Sequence, residues 1–407
     1  MGPAGWTLLR HMATANPIPE SASIADHATA DLVVFVTAMP SDQLKGVLIN
    51  LEDSFSAENM IVATQNEMPA EAPANLRIIT MRPSNSLWML KAADFTGAAE
   101  CGLNHRAKAI LILGPGANSL SSLALRGLVD AVLTASIDLA VPHYALPPYA
   151  GLINSAILYP LTRAVFASRV RFPLSIDLGL SLRMAERLAS AAQRIPAPNQ
   201  ADSLLWPVNE AVAAGFTVDE VDVGSRTVPQ PSDTDINTIL ALITGSLFAD
   251  IEAKAALWQR PRRAPLVHRT ATEVTQTDGT ADVARMIAAF RLANANLQEI
   301  WSLVLPPNSL LMLKRCSVLG PAEFRMPDNL WARIVFDFLI AYRLRTINRG
   351  HLLGSLIPLY LAWVASHINV IASGIPAVRH IEAVAAAFEA DKPYLVARWR
   401  WPDRFNS

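Results

Sequence analysis

Five short runs of aliphatic and β-branched residues recur along the first third of the chain: "DLVVFVTAM" (31–39), "NMIVATQ" (59–65), "NLRIITMR" (75–82), "AILIL" (109–113) and "IDLAVPHY" (137–144). Such short runs, bounded by turn residues or polar loops, read as buried strands. Between them, "QLKGVLINLEDSF" and residues 87–104 have helical spacing. Strands that alternate with helices require a mostly parallel sheet. The fold class expected is therefore α/β.

Further along, a helical stretch covers 152–168, and "RFPLSIDLGLS" (171–181) is extended or looped. "LRMAERLASAAQ" is an amphipathic helix, and "NEAVAAGFTVDEVDVGSRTV" reads as a helix, a turn at Gly215 and a strand. After Pro229 the character changes. A long helix, "DTDINTILALITGSLFADIEAKAALWQR", leads into a basic-then-polar linker, and residues 281–403 are nearly all helical. The expected division is a flexible tail (1–28), an α/β domain (29–228), a helix and linker (229–280) and a C-terminal all-helical domain (281–407).

Composition narrows the function classes. Hydrophobic residues make up 52% and charged residues 17%, below the roughly 25% charged of an average protein, which implies a large core or interface. With 34 basic and 35 acidic residues, no global basic field exists to hold nucleic acid. Two cysteines far apart, Cys101 and Cys316, and a start without a signal-peptide pattern fit a reduced, cytoplasmic setting. Residues 350–378 carry no Asp, Glu, Lys or Arg and are long enough to span a bilayer. Their prolines, histidines, serines and glycines favour a buried helix and a turn over a membrane span.

No HExxH, paired-cysteine metal site, GxSxG or P-loop lysine occurs. His367, among apolar neighbours, reads as a hydrogen-bonded core residue rather than a ligand. "KPYLVARWRWPDRF" (392–405) could stack on a sugar or base, but packing of Arg stems over Trp rings is the reading preferred. The run AILIL ends at Gly114-Pro115-Gly116 and feeds "LALRGLVDAVL", a strand, loop and helix of the kind that carries ligand sites in open α/β sheets. The loop could offer N–H groups to a phosphate. Its proline removes a donor and no Lys or Arg lies between the loop and Arg126, so a plain tight turn is the better reading. His143, Tyr144 and Asn154 follow the fifth strand on the ligand edge and are substrate-binding candidates.

Several stretches together resemble bacterial glycosyltransferases of the glucosylglycerate and mannosylglycerate synthase type. They are "LRGLVDAVLTASIDLAVPHYALPPYAGLINSAILYPLTRAVFASRVRFPL" (125–174), "AVAAGF" (211–216), "TGSLFADIEAKAALW" (244–258), "PDNLWARIVFDFLIAYRLRTINRGHLLGSLIPLYLAWVASHI" (327–368) and "AAFEADKPYLVARW" (386–399). The resemblance implies a GT-A nucleotide-sugar fold with a C-terminal helical region. It also implies retaining transfer of glucose or mannose from a sugar nucleotide to D-glycerate. In that family Mg²⁺ or Mn²⁺ sits on an Asp-x-Asp motif and neutralises the departing diphosphate.

The resemblance also implies which of those groups this chain lacks. The strand AILIL aligns with the one before Asp-x-Asp, and that motif is here Gly114-Pro115-Gly116. Gly-Gly-Asp-Phe becomes Ser175-Ile176-Asp177-Leu178, keeping the aspartate. The aspartate before the family's tryptophan becomes Leu204, with Trp206 kept, and a histidine ligand falls at Val228. The acceptor-side Tyr-Asp-Gly-Thr-Ile-Thr-Asn becomes Tyr149-Ala150-Gly151-Leu152-Ile153-Asn154-Ser155, and the Gly-Lys-Gly loop is not visible. No cofactor is therefore expected, the metal ligands being absent.

Two readings follow. One is a non-catalytic binding or assembly subunit, homo- or hetero-oligomeric, paired with an active relative. The other is a divergent, metal-independent retaining glycosyltransferase, acting on a sugar nucleotide and a small acceptor. Such an enzyme needs cations for the diphosphate, and Lys91, Arg163, Arg169 and Arg171 are the candidates. The stripe Leu330, Ile334, Val335, Phe338, Leu339 and Tyr342 must bury against something. Burial in its own domain is one possibility; docking, with residues 350–378, on another subunit is the sharper expectation.

Overall fold

The computed structural model describes residues 29–55, 59–67, 73–82, 88–196, 202–227, 235–260 and 282–402. Its first part alternates β1 (Leu32–Val36), α1 (Ser41–Phe55), β2 (Met60–Thr64), β3 (Arg77–Thr80), α2 (Ala92–Asn104), β4 (Ala109–Leu113), α3 (Ser122–Leu133) and β5 (Leu139–Ala145). A π-helical turn at Asn154–Leu158 runs into α4 (Tyr159–Phe166). Then come β6 (Leu178–Ser181), α5 (Leu182–Gln193), α6 (Pro207–Ala214) and β7 (Val218–Ser225).

Among the described residues these strands form one sheet, in the order β3-β2-β1-β4-β6-β5-β7. All neighbours are parallel except β6, which runs antiparallel between β4 and β5. Every residue of β1, β2 and β4 is buried, because helices cover both faces and a central parallel strand has no solvent side. Helix starts are fixed locally: the Ser121 hydroxyl accepts from the Ala124 N–H at 3.2 Å, and the Ser181 hydroxyl from the Met184 N–H at 3.2 Å. This is the mostly parallel α/β sheet that the sequence led us to expect. Within "RFPLSIDLGLS", read as extended or looped, Leu178–Ser181 form a four-residue strand.

The second part is helical: α7 (Ile236–Ala253), α8 (Ala255–Trp258), α9 (Val283–Asn296), α10 (Gln298–Ser302), α11 (Pro307–Ser317), α12 (Asp328–Leu344), α13 (Arg349–Ala372) and α14 (Ala377–Arg400). Its core takes in Ile157, Leu161 and Val165 from the π turn and α4, together with Trp206 ahead of α6. The joint is polar as well as apolar. Arg163 on α4 donates to Glu382 at 2.6 Å and to Glu389 at 2.8 Å, both on α14.

One expectation is corrected here. The stripe Leu330, Ile334, Val335, Phe338 and Leu339 is at most 1% exposed, and Tyr342 is 7% exposed. Helices α7, α11, α13 and α14 of the same chain lie against α12, so this surface is not left for another subunit. Within residues 350–378 the helix is mostly core, while Ile375 and Val378 after it are exposed. Among the described residues two helices, α7 and α13, are long and apolar enough to cross a membrane, with 39% and 67% of their apolar windows buried inside the fold. Leu352, Leu356, Leu359 and Trp363 are core residues of the helical part.

Candidate functional site

An open α/β sheet keeps its ligands beyond the carboxyl ends of the central strands. Here that edge is formed by the residues following β1, β2 and β4, with the segments that enter β6 and leave β7. Each of its polar backbone groups named below is answered by a side chain of the chain itself.

At β1 and β2, Gln65 Oε1 accepts from the Ala38 N–H at 3.2 Å, and Asn66 Oδ1 from the Met39 N–H at 2.9 Å. The Asn66 amide also donates to the Thr37 carbonyl at 3.0 Å. The Gln65 amide donates to Asp94 Oδ1 at 3.0 Å, and Asp94 Oδ2 accepts from the Lys91 N–H at 2.8 Å. The two N–H groups that open the β1–α1 turn are thus not presented to a ligand.

At β4 the tight turn Gly114-Pro115-Gly116 is held from three sides. The Gly116 N–H donates to Gln43 Oε1 at 2.8 Å, and the Gly114 N–H to Asp177 Oδ1 at 3.1 Å. The Pro115 carbonyl accepts from Arg226 Nη2 at 2.9 Å. Arg226, in the segment just after β7, is the residue sequence reasoning missed. Its Nε lies 2.9 Å from Asp177 Oδ2 and its Nη2 3.1 Å from Asp177 Oδ1, while Nη1 donates to the Thr227 carbonyl at 2.7 Å. Tyr144 completes the group by donating its hydroxyl to Asp177 Oδ2 at 3.0 Å. The Arg226 and Asp177 side chains are both fully buried. Burial opposes the Arg226 charge, and the Asp177 carboxylate more than restores it. Burial, and then the Asp177 charge, push the Tyr144 hydroxyl well above the usual phenol range.

This group of residues does not fit a divalent cation. Hard cations need several oxygens, and among the described residues the position offers one carboxylate. Both of its oxygens already accept hydrogen bonds, including two from a guanidinium. Nor could either glycine take back an aspartate without displacement. A Cβ on Gly114 would sit 2.8 Å from the Ile176 carbonyl, and one on Gly116 2.5 Å from Arg226 Nη1. Val228 lies outside the described residues, as do parts of the segments around 83–87 and 403–407. No group of three or more His, Cys, Asp or Glu that could hold a metal occurs among the described residues.

The other candidates are scattered over the junction with the helical part. Asn154 opens the π turn and donates to the Arg171 carbonyl at 3.0 Å. Arg171 donates to the Ser155 hydroxyl at 2.9 Å and lies over the rings of Tyr159 and Phe172, at 4.9 and 5.2 Å. His143 and Tyr144 meet Phe172 edge-on. Tyr149 is half-buried against the helical core. Arg163, proposed above for a diphosphate, is instead spent on Glu382, Glu389 and the Tyr159 hydroxyl. Lys91 pairs with Asp202 at 2.7 Å, and Arg169 is exposed. Leu204 is buried beside Trp206, whose indole donates to the Ser246 hydroxyl at 3.1 Å. His367 is a fully buried core residue: its Nδ1 lies 2.6 Å from His380 Nδ1, its ring stacks on Trp363, and burial pushes its pKa down to about 3. A cleft of about 960 Å³ between α5, α6 and α7 is lined by Leu204, Trp206, Glu210 and Lys254 among others, and shares no residue with the Asp177 group.

No family model and no curated protein matches the sequence. Among solved structures the chain is similar to a mycobacterial protein at 13% identity, covering 54% of this chain and 74% of that one with a TM-score of 0.39. It is also similar to glucosyl-3-phosphoglycerate synthase from Mycobacterium tuberculosis, solved with Mn²⁺, uridine diphosphate and glucosyl-3-phosphoglycerate. That match has 15% identity and a TM-score of 0.37, covering 54% of this chain and 80% of that one. At that distance the likeness says nothing of this chain's own chemistry.

Proposed function

We propose that this chain is a glycosyltransferase-like protein without transferase activity, kept as a binding or assembly subunit that pairs with itself or with an active relative in the cytoplasm. The observation that carries this reading is the placement of Arg226. A guanidinium fills the space beside Asp177, where a metal and the diphosphate it holds would have to sit, and four hydrogen bonds to Asp177, Pro115 and Thr227 hold it there. An active site keeps groups ready for a substrate; here the chain has satisfied those groups with its own side chains. The metal-independent reading needs cations that are open to a phosphate. Arg163 and Lys91 are each committed to carboxylates, which weighs against it, and Arg169, which is exposed, is the candidate that stays available to it.

The test is turnover. The protein is incubated with UDP-glucose, GDP-glucose or GDP-mannose, D-glycerate and Mn²⁺. No product above background is expected. Product that persists in a chelator would move the assignment to the metal-independent transferase, and Mn²⁺-dependent product would sink the closed-site reading outright. Affinity purification from the native host, read by mass spectrometry, then asks for the partner; a stoichiometric related chain is the expected find.

A further inference from the structure

Five arginines meet at one end of the helical part, where α8, α12 and α14 finish and α13 begins. Arg343 donates to the Trp399 carbonyl at 2.6 Å and lies 4.3 Å over the Trp399 ring. Arg349 donates to the Tyr342 carbonyl at 3.2 Å and lies 3.9 Å over the Tyr342 ring. Arg345 ends α12 in the left-handed conformation, at φ 55°. Arg400, one residue past Trp399, donates to Gln259 Oε1 at 3.2 Å, and Arg260 is next to Gln259 in the chain. Among the described residues Glu252 pairs with Arg349 of this group, at 2.9 Å. Arg260, Arg345 and Arg400 are exposed.

Two large apolar side chains stand among these charges. Trp401 is 60% exposed and Leu344, between Arg343 and Arg345, is 45% exposed. The charge of the chain as a whole is −1, so this is a local field and not a property of the protein. Arginines in a cluster seek phosphates or carboxylates. A tryptophan and a leucine set among them suit a boundary with charge on one side and hydrocarbon on the other. A nucleic acid would use the arginines, and could stack on Trp401, but offers nothing for Leu344.

We propose that this end of the helical part docks on an anionic lipid surface. The arginines meet the headgroups, and Trp401 and Leu344 enter the boundary between headgroups and acyl chains. No helix has to leave the fold for this, so it is independent of whether the sheet's ligand edge is closed.

The test is co-sedimentation of the full chain with phosphatidylcholine vesicles, and with vesicles in which about a third of the lipid is phosphatidylserine. Binding is expected on the second only, and raised salt should release it. Arg260→Gln, Arg345→Gln and Arg400→Gln combined should lower partitioning by roughly a hundredfold, at about fivefold per charge. Trp401→Ser should weaken it separately. All four residues are exposed, and unchanged circular dichroism would show that the variants fold. Equal binding to both vesicles, or a triple variant that binds like the parent, overturns the proposal. So does binding to a duplex oligonucleotide with none to vesicles.

Discussion

Arg226 and Asp177 form a buried ion pair at 2.9 Å, both side chains at 0% exposure, directly behind the turn that ends β4. Removing charges from water is costly, so such a pair persists only where further hydrogen bonds complete it. Tyr144, Gly114, Pro115 and Thr227 supply them. The pair therefore ties together the ends of β4, β5 and β7 and the entry to β6.

Breaking the pair from one side strands the other charge. Arg226→Met is expected to cost about 3–5 kcal/mol in urea unfolding. The double variant Arg226→Met with Asp177→Leu should lose clearly less than the sum of the two single variants, since no charge is left unpaired. What remains is the cost of the polar groups left without partners, the Tyr144 hydroxyl, the Gly114 N–H and the Pro115 and Thr227 carbonyls, each about 1–3 kcal/mol where it stays buried. Strict additivity would mean that the two side chains do not act on each other.

Metal should find no purchase at the same place. A ligand that binds only the folded state raises its melting temperature with concentration. Mn²⁺ or Mg²⁺ is expected to leave the melting temperature unchanged, and calorimetry should detect no micromolar site. A metal-dependent rise that vanishes in Asp177→Ala would refute this.

Much of this arrangement is legible in the sequence, and the missing parts share a physical cause. β1 and β4 announce themselves because a central parallel strand is apolar throughout. β6 does not, because four residues with a glycine, Leu178–Ser181, carry too little pattern to separate a strand from a loop. Asp177 could be placed by its neighbours in the chain. Arg226 could not, since an arginine 49 positions away has no local signature that marks its partner. The α12 stripe was visible, but what covers it depends on how α7, α13 and α14 close around it, which periodicity does not encode.

Acid should expose a second carboxylate that holds the sheet. Burial alone would push the Asp138 carboxyl up, but hydrogen bonds from Arg183, Thr217 and Ser181 hold it at about 2. Its folded pKa is below the unfolded value of about 3.9. Its contribution is therefore complete above about pH 4 and is lost as pH falls towards 2. Arg183 is largely exposed, with 62% of its side chain accessible, and solvent screens the pair, so the contribution is smaller than the shift alone implies. Asp138→Asn should thus be less stable than the parent at neutral pH, and the gap should close towards pH 2. A gap that is constant with pH would assign the loss to packing.

The turn itself makes the sharpest comparison. Gly116 has φ +81°, and a Cβ there would meet Arg226 Nη1 at 2.5 Å and the Thr227 carbonyl at 2.7 Å. Gly215, after α6, has φ +73° with nothing within 4 Å of a Cβ. Alanine at either position pays the left-handed backbone cost, about 1 kcal/mol. Only at 116 must it also displace the guanidinium, and Arg226 cannot yield without loosening Asp177. Gly116→Ala is therefore expected to destabilise by at least about 2 kcal/mol more than Gly215→Ala, in line with a buried charge pair disturbed. Denaturant unfolding of the two variants side by side reads the difference. Equal losses would mean that Arg226 is mobile enough to move aside, and the closed ligand edge would then be open to a substrate.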